Sequence, residues 1–178
     1  MLESRASSTW GHSERVAQLC RSIAQELELS PEGIETLDLA AKFHDIGKLA
    51  IPDSVFLKPE PLDLQERSEV ESHPRRSVQV LCLLPFLQEA LPIIEGHHEA
   101  WDGSGYPRGL KGEEIPLGAR IMAVANAFDT MTCPHPYRPA LSRAEAISHL
   151  RAGAGVLWDP GVVEAFLRAI KDTQDTSG

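Results

Sequence analysis

Five histidines and one aspartate are the residues best suited to act together chemically: His12, His44, Asp45, His73, His97 and His98. Imidazole and carboxylate are ligands of zinc, iron and manganese, and without a thiolate set the mixture favours a borderline or hard divalent ion. A lone histidine is more often a hydrogen-bonded surface or core residue than a ligand. Two adjacent pairs change that weighting. His44-Asp45 and His97-His98 each close a largely apolar stretch, and would set polar groups against a core unless something satisfies them. If Asp45 bridges, its two oxygens can hold two ions roughly 3.5–4 Å apart, the separation at which metal pairs support in-line displacement at phosphorus. Phosphodiester hydrolysis is the chemistry this predicts.

Lys48, three residues after Asp45 in HDIGK, is as readily a solvated lysine at a helix end as a group reaching a phosphate or leaving oxygen. In the segment DGSGYPRGLKG, Gly103, Gly105 and Pro107 have turn formation as their ordinary role, and Tyr106 among them either packs or recognises. The arginines look scattered, and of these only Arg138 falls near the helix expected to carry metal.

These side chains have to be gathered by helices. Val16, Leu19, Ile23 and Leu27 recur at three- and four-residue steps and predict a helix from about His12 to Leu29. Ser30-Pro31 reads as an N-cap with proline in the first turn, opening a second helix that ends at His44 and Asp45. Asp63 with Glu66 forms a capping-box signature for a helix leading to His73, bent or restarted by Pro74. A further helix is expected from about Phe86 to Glu99, followed by the Gly/Pro-rich loop. PLGARIMAVANAFDTM predicts a long buried helix that presents Asn126 and Asp129 in apolar surroundings. Ser142 with Glu145, and Asp159-Pro160, open the last two helices. No segment alternates with period two, so the expected class is all-α.

Composition excludes several functions. Seventeen Lys and Arg against 26 Asp and Glu leave a net charge of −9, with none of the basic footprint that drives binding to nucleic-acid polymers. The longest apolar run, Val80 to Leu87, has eight residues and a proline, far short of the roughly 20 needed to span a bilayer. No signal-like segment opens the chain, so a cytoplasmic protein is expected. Cys20, Cys82 and Cys133 are too far apart for a thiolate zinc site and read as reduced thiols. The expected organisation is an N-terminal extension over 1–11, one domain over 12–170, and a polar tail over 171–178.

The strings HSERV, FHDIGKLAIPD, ESHP, GHHEAWDGSGYPRGLKGEEIPLGARIMAVAN and PYRPALSRAEAI resemble the HD-GYP family, a branch of the HD phosphohydrolases, over nearly the whole chain. The resemblance implies a single-domain helical bundle around a centre of two or three metals, usually iron or manganese, that hydrolyses cyclic di-GMP to pGpG or GMP in bacterial signalling. By matching position, His12, His44 and Asp45 would hold the first metal, with Asp45 bridging to a second held by His73, His97 and His98. Lys48 would contact phosphate or assist the leaving group. Gly105, Tyr106 and Pro107 match the signature loop, which in the family lies beside the substrate and is implicated in contacts with GGDEF-type cyclase domains.

Three departures from the family pattern carry expectations of their own. Where the family has an aspartate ligand, this chain has Asn126, whose amide oxygen should hold its ion less tightly. His135 replaces an arginine of the string ending in Arg138, removing a bidentate fork for substrate phosphate. Ser8 stands where three-metal members carry a glutamate, so two metals at most are expected. Asn126 and His135 also keep open a second reading, a degenerate module that binds metal, nucleotide or a GGDEF-type partner with little turnover. A hydrolase for another phosphoester is the third.

Overall fold

A computed structural model describes the backbone of residues 2–56, 58, 60–134 and 139–175, and side chains between Gly11 and Lys171 within those stretches. His135 and Arg138 lie outside the described residues, as does the side chain of Ser8. The helices are α1 (Leu2–Glu26), α2 (Pro31–Phe43), α3 (Asp53–Phe56), α4 (Leu64–Glu71), α5 (His73–Leu81), α6 (Leu91–Gly96), α7 (Leu117–Thr132), α8 (Arg143–Gly153) and α9 (Pro160–Asp175). Short 3₁₀ turns cover Ile46–Ala50, Pro85–Ala90 and Gly112–Glu114. Among the described residues there is no strand, only an isolated bridge between Ala154 and Trp158. The all-α expectation holds.

Most boundaries follow from local chemistry. Ser30 caps α2 by accepting from the Gly33 N–H, Asp63 and Glu66 close a reciprocal capping box on α4, and Ser142 and Glu145 do the same on α8. Two elements depart from the sequence reading. α1 starts at Leu2 rather than near His12. It ends at Glu26 because Glu28 turns left-handed at φ 55° and the Leu29 N–H bonds the Ala24 carbonyl, a Schellman stop. The helix expected from Phe86 is a 3₁₀ turn followed by the short α6, with Pro92 in its first turn supplying no N–H. The restart expected at Pro74 is present: α4 stops at Glu71, and His73 opens α5 with Pro74 behind it.

α1 packs against α2, α7 and α9. Their shared core contains Val16, Ile23, Leu37, Ile94, Ile121, Met122, Leu150 and Phe166, all essentially excluded from solvent. Each such side chain contributes about 1.5–3 kcal/mol by leaving water. The rings of Phe128 and Phe166 meet 4.8 Å apart and lock α7 to α9. All three cysteines are free thiols. No helix among the described residues is long and apolar enough to cross a membrane. The result for function is that the end of α2 meets α1, where the His44 and His12 rings lie 5.5 Å apart, and the end of α6 and the start of α5 meet beside it, His97 against His44 and His73.

Candidate metal centre

The turn after α2 is bolted to α5 by a glycine and a serine. A Cβ on Gly47 would lie 2.1 Å from the His73 carbonyl oxygen, so no side chain fits there. The Ser77 hydroxyl accepts from the Gly47 N–H at 2.9 Å and donates to the His44 carbonyl at 2.8 Å. His44 and Asp45 are thereby set against His73.

Three rings are aimed by their own turn of chain. Nδ1 lies 2.7 Å from the Ala41 carbonyl in His44, 2.8 Å from Val70 in His73 and 2.6 Å from Ile94 in His97. A carbonyl only accepts, so Nδ1 carries the proton in each and Nε2 presents a lone pair inward, the outer-shell arrangement of metal-binding histidines. These lone pairs converge on Asp45. His73 Nε2 is 3.3 Å and His97 Nε2 4.0 Å from Oδ1, while His44 Nε2 is 3.3 Å and Lys48 Nζ 2.7 Å from Oδ2.

Two triads result, His12/His44/Asp45 and His73/His97/His98, each with one potential ligand atom per residue within 4.8 Å of the others. His44 Nε2 and Asp45 Oδ1 are buried with no hydrogen-bond partner. His73 Nε2 faces His97 Nε2 at 3.4 Å, acceptor against acceptor once both Nδ1 protons are committed to carbonyls. Buried groups left in that state are costly. A divalent cation is what these lone pairs lack, so the donor set fits the ion that the sequence predicts.

The electrostatics agree. Burial lowers the His97 imidazole well below its usual range, helped by His98 and His44, and burial with the charges of His73 and Lys48 lowers His98 to about 3. Both rings are therefore neutral and ligand-competent at neutral pH. Burial alone would raise the Asp45 carboxyl, but its polar surroundings, with His44 and the Lys48 ammonium foremost, outweigh it and hold the group ionised, well below its usual range.

The signature loop forms one wall. A Cβ on Gly105 would sit 2.2 Å from the Ala100 nitrogen, so the chain passes where only glycine fits. Tyr106 donates its N–H to the His98 carbonyl at 3.1 Å and stacks on the His98 ring at 4.8 Å and 25°. The buried Glu99 carboxylate accepts from the N–H groups of Arg108 at 2.7 Å and Leu110 at 3.0 Å, and Arg75 donates to the Pro107 carbonyl at 3.0 Å. Trp101 and Asp102 donate to the carbonyls of Leu157 and Val156. The loop is a fixed platform, with Tyr106 against the histidines.

Asn126 is half-buried on α7, its Oδ1 accepting from the Thr130 hydroxyl at 3.5 Å. The carboxylate that meets the cluster from this helix is Asp129. Its Oδ2 is 2.6 Å from His12 Nδ1, and Arg15 grips it with Nε at 2.6 Å and Nη2 at 3.0 Å. Burial raises this carboxyl, but the bonds from His12 and Arg15 prevail and hold it at about 2. Sequence reasoning placed Asp129 in a buried helix without giving it a role, and passed over Glu99 and Ser77. An acidic or hydroxyl residue beside a motif is their only local signal, because each has its partners elsewhere in the chain.

Comparison with known proteins yields the same family from other directions. Residues 1–162 match the model of the HD domain family. The chain is 41% identical over 99% of its length to the cyclic di-GMP phosphodiesterase response regulator RpfG of Xanthomonas campestris, of which it covers 47%. It is also 41% identical over 97% of its length to a cyclic di-GMP phosphodiesterase of Thermotoga maritima, of which it covers 48%. It thus spans about half the length of these curated relatives. Among solved structures, an HDG"Y"P protein from Bdellovibrio bacteriovorus superposes with a TM-score of 0.74 at 22% identity, covering 92% of this chain and 52% of that one. With the motifs, the two triads and these matches in agreement, the chain belongs to the HD domain family, in its HD-GYP branch.

Proposed function

We propose that the chain is a metal-dependent phosphodiesterase that hydrolyses cyclic di-GMP to pGpG, GMP or both, using two divalent ions, iron or manganese. The observation that carries this reading is the 3.4 Å approach of the His73 and His97 lone pairs beside the unpartnered Oδ1 of Asp45. The relatives' names supply the substrate class, since two relatives at 41% identity are named for cyclic di-GMP. Bound divalent ions supply activation of water and stabilisation of charge developing on the phosphoryl oxygens. The residues of the chain do the rest. His12, His44 and Asp45 would hold one ion, and His73, His97 and His98 the other, with Asp45 shared and Asn126 an additional oxygen donor to the first. Lys48, tied to Asp45 Oδ2, would neutralise a phosphate or the departing ribose oxygen. Tyr106, fixed against His98, offers a flat face and a hydroxyl to the substrate. His135 and Arg138 are assigned to phosphate by the motif alone, and the signature loop is assigned as the surface for a GGDEF-type partner on the same basis.

Metal analysis of protein purified without air, followed by incubation with cyclic di-GMP and chromatography of the products, tests this directly. Two ions per chain and conversion to pGpG or GMP are expected. A chain that holds metal and nucleotide without turnover would favour the second reading, a binding module, to which the amide at Asn126 already points. Hydrolysis of 3'3'-cGAMP in preference to cyclic di-GMP would reassign the substrate, since a relative named as specific for that dinucleotide is 36% identical.

A further inference from the structure

Among the described members of the cluster, His12 is aimed in a different way from its neighbours. His44, His73 and His97 take their Nδ1 partner from a carbonyl three residues back on their own chain. His12 takes its partner from a side chain 117 residues away, Asp129 on α7. That carboxylate is 4% exposed and is held from its other side by the Arg15 guanidinium, one turn along α1 from His12. A buried carboxylate gripped by a planar fork has little freedom to rotate.

We propose that Asp129, clamped by Arg15, is the positioning residue that makes His12 a metal ligand: it fixes the proton on Nδ1 and turns Nε2 towards His44 and Asp45. This rests on the metal-centre reading above and adds a role to a residue that touches no ligand atom of the cluster. It also assigns work to this helix that Asn126 cannot do. An amide at 126 leaves the first triad with Asp45 as its one carboxylate, so the basicity and aim of His12 decide how well that half holds its ion. Asp129 acts on both, because a carboxylate accepting from Nδ1–H raises the electron density at Nε2.

The test compares the full-length chain with Asp129→Leu, Asp129→Asn and Arg15→Met, the last removing a side chain that is 47% exposed and leaves no buried gap. Nitrogen NMR of the metal-free proteins reads the His12 tautomer, and calorimetric titration with Mn²⁺ alone reads both sites. The leucine variant should lose the fixed Nδ1–H tautomer and weaken one Mn²⁺ site by about 10–100-fold while sparing the other. Asparagine keeps an acceptor for the ring and should restore most of that loss, and Arg15→Met should move the same site in the same direction by less. An unchanged His12 tautomer in Asp129→Leu, unchanged Mn²⁺ affinities, or an equal loss at both sites would overturn the proposal. A wild-type chain that takes up no Mn²⁺ would overturn the metal-centre reading itself, and this proposal with it.

Discussion

The two halves of the histidine cluster are built by different means. His73 and His97 are aimed by carbonyls of the turns they stand on, and His98 is held between the His97 and Tyr106 rings. That half needs α5, α6 and the signature loop, which are neighbours along the chain. The half formed by His12, His44 and Asp45 needs α1 docked on α7, because the partner of His12 lies on the far side of the sequence. A ring oriented by its own helix is ready once that helix forms, whereas a ring oriented across the fold is only as firm as the packing between two elements. The half formed by His12, His44 and Asp45 is therefore the adjustable one, and the half formed by His73, His97 and His98 the durable one.

Asp45 is where this contrast can be broken outright. Its Oδ1 faces His73 and His97 and its Oδ2 faces His44 and Lys48, so the residue serves both halves. Asp45→Asn should weaken both Mn²⁺ sites and lower hydrolysis by several kcal/mol of transition-state stabilisation, about three factors of ten or more. Calorimetry and product chromatography measure the two effects. Either ion held at wild-type affinity would show that the carboxylate is not shared.

Single ligands should separate the halves. His97→Ala is expected to remove one ion and His12→Ala the other, each weakening its own site by at least about 100-fold, beyond what outer-shell changes produce. Metal analysis at limiting Mn²⁺ distinguishes them. If both substitutions empty the same site, the division into two triads fails.

Acid should act chiefly through the durable half. His97 and His98 are held neutral in the folded, metal-free chain, with the second lowered to about 3, while an unfolded histidine titrates near 6.5. Below about pH 6.5 the unfolded state binds protons that the folded state refuses, so stability falls as pH falls. The loss is about 1.4 kcal/mol per pH unit for each ring that stays neutral. Asp129, held at about 2, contributes stability that stays fully present above about pH 4 and is lost only as pH drops towards its folded value. Between pH 6.5 and 4 the histidines therefore set the slope. Denaturant melts of metal-free protein at pH 7 and pH 5 should differ accordingly, and His97→Gln should flatten the difference.

Much of this was legible in the sequence, and the parts that were not have two causes. The capped starts of α2, α4 and α8 were readable because Ser30, Asp63 and Ser142 bond within three residues of themselves. The ligand candidates were readable as types in motifs, HD and HH, before any geometry. The break before α6 was missed because proline in a first turn is compatible with either starting a helix or interrupting one. Asp129, Glu99 and Ser77 were missed as actors because each is defined by a partner in another element, at separations of 117, 9 to 11, and 30 to 33 residues. A single sequence displays the residue but not its partner.

The signature loop offers a smaller perturbation, since it supports the second half from outside. Gly105→Ala would drive a Cβ to 2.2 Å from the Ala100 nitrogen, and backbone rather than a flexible side chain has to give way. A loss of about 2 kcal/mol is expected, about 5 °C in melting temperature for a chain of this size. Tyr106 should lose its stacked position on His98, and nucleotide affinity should fall while Mn²⁺ stoichiometry stays at two. Gly103→Ala, at φ 89° but with its nearest neighbours no closer than 3.4 Å, should cost less.

Asn126→Asp sharpens the contrast most finely, because on the proposed assignment it adds charge to the adjustable half alone. Position 126 lies three residues before Asp129 on α7, close to one turn, so the two side chains share a face of the helix. In the metal-free chain a new carboxylate there meets the negative charge of Asp129, which Arg15 and His12 already match, and gains no cation of its own. The metal-free variant should therefore melt slightly below wild type. With Mn²⁺ present the sign reverses, since an anionic oxygen is a better donor to a hard ion than an amide. The first site should tighten by about tenfold, close to 1.4 kcal/mol, while the second stays where it was. Opposite shifts in the metal-free and metal-bound melts, confined to one site in calorimetry, are what distinguish a ligand position from a general stabilising change. A shift of the same sign in both melts would show that residue 126 does not reach the ion.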